Sequence, residues 1–252
     1  HTHIKMGVLS NKIDRKQLKA GDHIYSWRKA YLYAHHGIYV GEGTVIHFTA
    51  VRGTQTGTPT IVDNLFASSA PSFDTDIPCP RCSDCNQTMT DGVISSCLDC
   101  FLSGGELHLF EYGVSKIHFL AQARGGTCTL ASSDPTQEVV TRALNLLENG
   151  FGDYHFFENN CEDFAVYCKT ELVVRINSIV GGGGSGQVAS YLAAVNCIGS
   201  LPLGFVKTSF YGRVLVHCGM YCIRRLVSDI GFRSGVTKVP VEKIHEMARW
   251  EN

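Results

Sequence analysis

The feature that most constrains this chain is the run Tyr33-Ala34-His35-His36-Gly37-Ile38-Tyr39-Val40-Gly41, which turns at Gly41-Glu42-Gly43-Thr44 and returns through Val45-Ile46-His47-Phe48. Aromatic and β-branched residues bounded by glycines read as two strands joined in a tight hairpin. Side chains alternate between the faces of a strand, so His35, Gly37 and Tyr39 share one face, and His36, Ile38 and Val40 the other. In the returning strand, His47 projects toward the side of His35. Far downstream, Asn159-Asn160-Cys161-Glu162-Asp163-Phe164 opens a helical pattern, with Asn160 as cap and Phe164, Tyr167 and Cys168 recurring at helical spacing. A thiol at the first turn of a helix and two imidazoles on a hairpin are the minimum set for a cysteine nucleophile with a base and an orienting group.

The chemistry assigns roles to these residues. Cys161 is the nucleophile, and the helix N-terminus is expected to favour its thiolate and lower its pKa. His35 is the base, and His47 is expected to hold the other ring nitrogen and fix the tautomer. Tyr33 can place its hydroxyl beside a developing oxyanion, near the Cys161 backbone N–H, with Asn160 and Glu162 as candidate support. Taken singly, each signal has an ordinary reading. A lone cysteine is more often a small buried apolar residue, and a lone histidine is more often a satisfied core group. Asn160 and Glu162 alone are capping and surface chemistry. Only the combination points to catalysis.

That combination closely resembles the lecithin:retinol acyltransferase family in His35-His36-Gly37-Ile38-Tyr39-Val40-Gly41, in Val45-Ile46-His47-Phe48 and in Asn160-Cys161-Glu162-Asp163-Phe164. The family is a circularly permuted relative of papain-like enzymes, so His precedes Cys in the chain, as here. The resemblance implies an α+β, permuted papain-like fold with a small antiparallel sheet packed on helices. It implies His35 as base, His47 as its partner and Cys161 as nucleophile, and Tyr33 matches a residue that often precedes the base by two. Counted back from Ile38-Tyr39, the motif selects His35 rather than His36, which reads as structural or rim. The matched parts are residues 20–50 and 105–170. An insertion at 50–104 and a tail replacing the usual C-terminal membrane helix are departures. Gly92-Val93-Ile94-Ser95-Ser96-Cys97-Leu98-Asp99-Cys100 within the insertion looks like the plant branch.

The expected activity is that of a thiol acyltransferase or acyl hydrolase. It would form a thioester at Cys161 from a phospholipid ester or an acyl thioester, and pass the acyl group to an alcohol, amine or water without a cofactor. Two other classes stay open: a cysteine amidase or peptidase, and a non-catalytic lipid-binding or scaffold protein.

The remaining sequence sets the frame. His1–Lys5 read as a cloning remnant, 6–175 as the catalytic domain with its Cys-rich insertion, and 176–252 as an extension behind the linker Gly181-Gly182-Gly183-Gly184-Ser185-Gly186. Balanced charge, with no basic run, excludes a nucleic-acid partner. Eleven cysteines, an odd count without a secretory signal, favour a reducing compartment such as the cytoplasm, compatible with peripheral membrane attachment. Cys79, Cys82, Cys85, Cys97 and Cys100 form knuckle-like pairs, four of which could hold a structural zinc. Free thiols or a disulfide are the alternatives. No charge interrupts 176–206, but its glycines, asparagines and proline dilute the hydropathy, so a buried or interfacial segment is expected over a membrane span. Elsewhere, Val8–Asp22 reads as loosely helical and 106–120 as strands. Asp134-Pro135 starts a helix that Gly150 ends, residues 212–223 look strand-like, and an amphipathic stretch begins at Val241.

Overall fold

The computed structural model of the chain describes residues 11–28, 31, 33–49, 92–174, 184–199 and 209–248. The hairpin is its centre. Strands β1 (Asp22–Arg28), β2 (Tyr33–Gly41), β3 (Thr44–Thr49), β4 (Gly92–Cys97) and β5 (His108–Leu109) form one antiparallel sheet in the order β4-β3-β2-β1-β5. Ile38 opposes Ile46 across the hairpin, and Ser26 opposes His35 on the other side of β2. The first six residues of β2 are buried on both faces. That is why this strand reads as nearly continuous apolar sequence with histidines set into it.

Helices cover both faces. On one, α1 (Leu98–Leu102) brings Leu98, Phe101 and Leu102 against Ile24 and Val45. On the other, α3 (Thr136–Asn149) and α4 (Cys161–Thr170) pack Val139, Leu146, Phe164 and Tyr167 on Ile38, Ile46 and Phe48. A short helix α2 (Lys116–Ala121) follows β5. Gly37 is required by the first packing. A Cβ built there would lie 2.8 Å from Val45 Cγ1, 2.9 Å from Phe101 Cε2 and 3.1 Å from His47 Cβ. Its absence lets Phe101 close over the two histidines.

Several local expectations change. Residues 117–120 are helical rather than extended. Ser115 caps α2 by accepting from the His118 N–H at 3.2 Å, and only Phe119 is buried, whereas Ile117 is 83% exposed. Residues 212–223 lie inside helix α6 (Phe210–Ser228) rather than in strands. Ser209 caps this helix, which runs antiparallel to α5 (Gly186–Gly199). Ser190 Oγ and Tyr221 OH are 2.6 Å apart, and Cys197 Sγ donates to His217 O at 3.7 Å. Packing along a partner helix outweighs the weak preference of Val214, Val216 and Ile223 for strands. Among the described residues, the loosely helical reading of Val8–Asp22 shrinks to a 3-10 turn at Arg15–Gln17. Helix α3 starts at Thr136 and ends at Gly150 as expected, but Asp134 is not its cap. The Asp134 carboxylate accepts from Arg142 at 2.8 Å and from Lys238 at 2.9 Å.

The segment beyond the glycine run joins the same body. Strands β6 (Leu172–Val174) and β7 (Val236–Lys238) pair antiparallel, and Tyr167 donates to Val239 O at 2.8 Å. Val241, at the head of α7 (Val241–Ala248), enters the core with Phe164 and Leu146. Among the described residues no helix is long and apolar enough to cross a membrane.

Candidate active site

Cys161 is the first residue of α4 because Asn160 closes the helix start. The Asn160 side chain accepts from the N–H groups of Glu162 at 2.8 Å and Asp163 at 3.3 Å, and Asp163 accepts from the Asn160 N–H at 3.0 Å. This reciprocal box fixes the turn that carries the thiol. Asn160 therefore acts here through the backbone of the nucleophile's turn. Cys161 is fully buried against β2, with Sγ 2.7 Å from Tyr33 OH and 3.8 Å from Ala34 O. Tyr33 OH also lies 3.1 Å from Tyr154 OH.

The two histidines meet as their strand positions require. His35 Nε2 and His47 Nδ1 share a hydrogen bond of 2.9 Å, with the rings edge to face. His47 Nε2 in turn lies 2.9 Å from Ser96 Oγ on β4. The remaining nitrogen, His35 Nδ1, is buried without a hydrogen-bond partner. Thus Tyr33 is joined to Cys161 and His35 to His47, but no hydrogen bond joins Cys161 to His35. His35 immediately follows Ala34, whose carbonyl contacts the thiol. Catalytic hydrogen bonds often tighten only when substrate is present.

His36 is fully buried rather than at a rim. It stacks on Tyr25, and its Nδ1 lies 2.9 Å from His23 Nε2, while His23 Nδ1 reaches Tyr112 OH at 2.7 Å. Strand alternation thus separates the adjacent histidines into two networks on opposite faces.

Electrostatics reverses one expectation. The Cys161 thiol is not made acidic; burial pushes it up to about 12, against the pull of the Tyr33 hydroxyl and the His36 backbone N–H. The nearby Glu162 and Asp163 carboxylates push it further up. A helix end carries only about half a charge, too little to offset complete burial. His35 is held well below its ordinary value by burial, then by His47 and Arg28, and His47 falls to about 3 by burial and then by Arg28. At neutral pH the resting pair is a neutral thiol and a neutral imidazole. Alkylation of Cys161 by iodoacetamide should therefore rise about tenfold per pH unit from pH 7 to beyond pH 10, tracking the thiolate fraction. The Cys161 peptide, quantified by mass spectrometry, reads this directly. A plateau spanning pH 5 to 8 would reveal a preformed thiolate–imidazolium pair and overturn the assignment.

Arg28 and Gln187 are site residues that gave no sequence signal. Arg28 is a half-buried guanidinium that donates to the carbonyls of Phe101 and Leu102 and to Ser26 Oγ. Gln187, at the start of α5, grips β2 beside the site: its Oε1 accepts from the Ala34 N–H at 3.0 Å and its Nε2 donates to Ala34 O at 3.2 Å. Glu162 places its carboxylate on the same helix start, accepting from Ser185 Oγ at 2.5 Å, the Gly186 N–H at 2.8 Å and the Gln187 N–H at 3.0 Å. Burial raises Glu162, and raises Asp163 to about 8. A cavity of about 210 Å³ adjoins Tyr33, walled by Gln187, Phe156, Arg124, Tyr191 and Tyr221. Helices α5 and α6 thus supply one side of a cleft next to the thiol's tyrosine.

Of the proposed zinc ligands, Cys79, Cys82 and Cys85 lie outside the described residues. Cys97 ends β4 and its sulfur accepts from the Cys100 N–H at 3.4 Å, while Cys100 is buried in α1. Among the described residues, no group of three His, Cys, Asp or Glu side chains is placed to hold a metal ion.

A family model described as lecithin retinol acyltransferase matches residues 16–174. The chain is also 52% identical over 240 residues to the Arabidopsis thaliana protein described as Protein LEAD-SENSITIVE 1, an alignment covering 95% of this chain and 90% of that protein.

Proposed function

The chain belongs to the lecithin retinol acyltransferase family, and from that premise we propose that it is a cysteine-dependent acyltransferase or acyl hydrolase working through an acyl thioester on Cys161. The observation that carries this reading is the unpartnered Nδ1 of the paired His35, set on the strand that contacts the buried Cys161 sulfur.

The donor is an ester or thioester of a fatty acid, bound with its carbonyl beside Cys161 and Tyr33 and its chain in the adjoining cavity. Sγ attacks the carbonyl carbon as its proton passes to His35 Nδ1. Forming the ion pair only in this step suits a site that keeps both partners neutral at rest. Negative charge develops on the carbonyl oxygen, where the Tyr33 hydroxyl and the Cys161 backbone N–H can donate. Collapse expels the alcohol or thiol, which takes the proton back from His35, and leaves the acyl group on sulfur. An alcohol, amine or water then attacks the thioester, with His35 again accepting and returning one proton.

The test is the mass of the Cys161 peptide after incubation with mixed phospholipids and acyl thioesters. An added acyl mass, absent from Cys161→Ala, is expected. No adduct from any donor, at a Cys161 that iodoacetamide can still reach, would overturn acyl transfer. An adduct from amide donors alone would assign an amidase instead.

A further inference from the structure

The chain of groups His35–His47–Ser96 has a property that its distances alone do not display. A neutral imidazole carries one proton, on one nitrogen, and offers a lone pair on the other. Burial keeps both rings neutral, so the three groups allow only two proton orders. In one, Ser96 donates to His47 Nε2, His47 Nδ1–H donates to His35 Nε2, and His35 is left with a proton on Nδ1. In the other, His47 Nε2–H donates to Ser96 Oγ, His35 Nε2–H donates to His47 Nδ1, and His35 Nδ1 keeps its lone pair. Only the second order gives a base.

We propose that Ser96 is a positioning residue that accepts the His47 Nε2 proton and so fixes the tautomers of both histidines, leaving the lone pair on His35 Nδ1. Its catalytic meaning rests on the acyl-transfer reading above; the proton order itself does not. Three observations carry it. First, His35 Nδ1 is buried and has no partner. A stranded N–H in such a place is rarer and more costly than a stranded lone pair, which disfavours the first order. Second, Ser96 is only partly buried, so its own hydroxyl proton can turn to water while its oxygen accepts. Third, the register is specific. Ser96 opposes Val45, two residues before His47 and on the same face, which puts its hydroxyl diagonally within reach of the ring, while the neighbouring Ser95 is exposed on the opposite face. A residue paired one step either way would point away from His47.

The His36–His23–Tyr112 chain on the other face shows what the serine adds. It also joins two imidazoles to a hydroxyl and ends in an unpartnered buried nitrogen, His36 Nε2. Its terminal hydroxyl belongs to a tyrosine, a better donor and a poorer acceptor than a serine, so there the hydroxyl and the stranded nitrogen favour different proton orders, whereas at Ser96 the two agree.

The test uses the full chain with nitrogen-15 in its histidine rings, whose shifts distinguish protonated from bare nitrogens. Wild type should show His35 and His47 both protonated on Nε2. In Ser96→Ala the His47 and His35 signals should move toward the Nδ1-protonated form, and in Ser96→Thr they should return. Cys161 acylation should slow in Ser96→Ala by about tenfold, the population change one neutral hydrogen bond can hold, at unchanged KM for the donor. A wild-type His35 protonated on Nδ1 would overturn the proposal even if Ser96→Ala failed to fold. So would nitrogen shifts unmoved by Ser96→Ala. Correct tautomers in a wild type that forms no acyl adduct would uphold the role of Ser96 and overturn the acyl-transfer reading.

Discussion

Replacing His35 with Ala should slow acylation of Cys161 about a thousandfold, within the range that a positioned general base supplies. The structure makes this loss large because the thiol has no other route to its thiolate. Burial holds it up near 12, and the partner at 2.7 Å is the weakly basic hydroxyl of Tyr33. His47→Ala should cost less, about a hundredfold, because it frees the His35 ring to turn and change tautomer without removing the base. The double variant should be little worse than His35→Ala, since the two act as one unit. His36→Ala is the informative control. It breaks the bond to His23 and should lower the unfolding midpoint, yet acylation should stay within about fivefold of wild type, because its ring lies in the network on the other face. Single-turnover acylation, followed by mass, measures all four. Equal losses for His35→Ala and His36→Ala would overturn the assignment of His35 as the base.

Removing the Glu162 carboxylate should produce the largest structural effect of any single change near the site. Glu162 is fully buried and accepts from one hydroxyl and two backbone N–H groups at the start of α5. Glu162→Ala strands all three donors, a loss of about 3 kcal/mol or more by the usual penalty for buried unsatisfied groups. Glu162→Gln keeps the shape and one acceptor, so it should cost roughly half as much. The damage should concentrate where the bonds are: amides of residues 184–194 should lose protection from hydrogen exchange, while β2 and β3 keep theirs. Activity should fall as well, because α5 carries Gln187 onto Ala34 and walls the cavity beside Tyr33. Glu158→Ala, at a carboxylate 67% exposed, should change nothing measurable. An unchanged melting midpoint and exchange pattern in Glu162→Ala would refute the anchoring role.

This anchor also shows where local pattern stops informing. Glu162 follows the nucleophile in a recognisable motif, but its partners are Ser185 and Gly186, in a run whose composition reads as a flexible linker, and Gln187 just beyond it. Glycine there instead admits a close approach: a Cβ on Gly186 would sit 3.1 Å from Glu162 Oε1 and 3.1 Å from the Gly126 backbone nitrogen. A glycine needed for flexibility and one needed for contact look the same in sequence. Strand β4 was hidden for a related reason. Its residues sit beside a cysteine-rich stretch and pair with β3 across a long separation, so no local signal announces Ser96. Likewise, Val214, Val216 and Ile223 favour strands individually, yet they lie in α6, a helix packed against α5.

The hairpin, the face shared by His35 and His47, the capped helix opening at Cys161 and the family itself were determined by sequence. Each depends on neighbours within a few residues: the two-residue alternation of a strand, the glycines of a tight turn, the reciprocal cap of Asn160 and Asp163. Tertiary structure alone decided the protonation state of the thiol, because burial, not helix position, dominates a charge's free energy. It also decided the end of the histidine chain at Ser96 and the use of Glu162 as an anchor for α5. These are contacts between distant segments, and their energies depend on which groups are left in the dark together, something spacing along a chain does not encode.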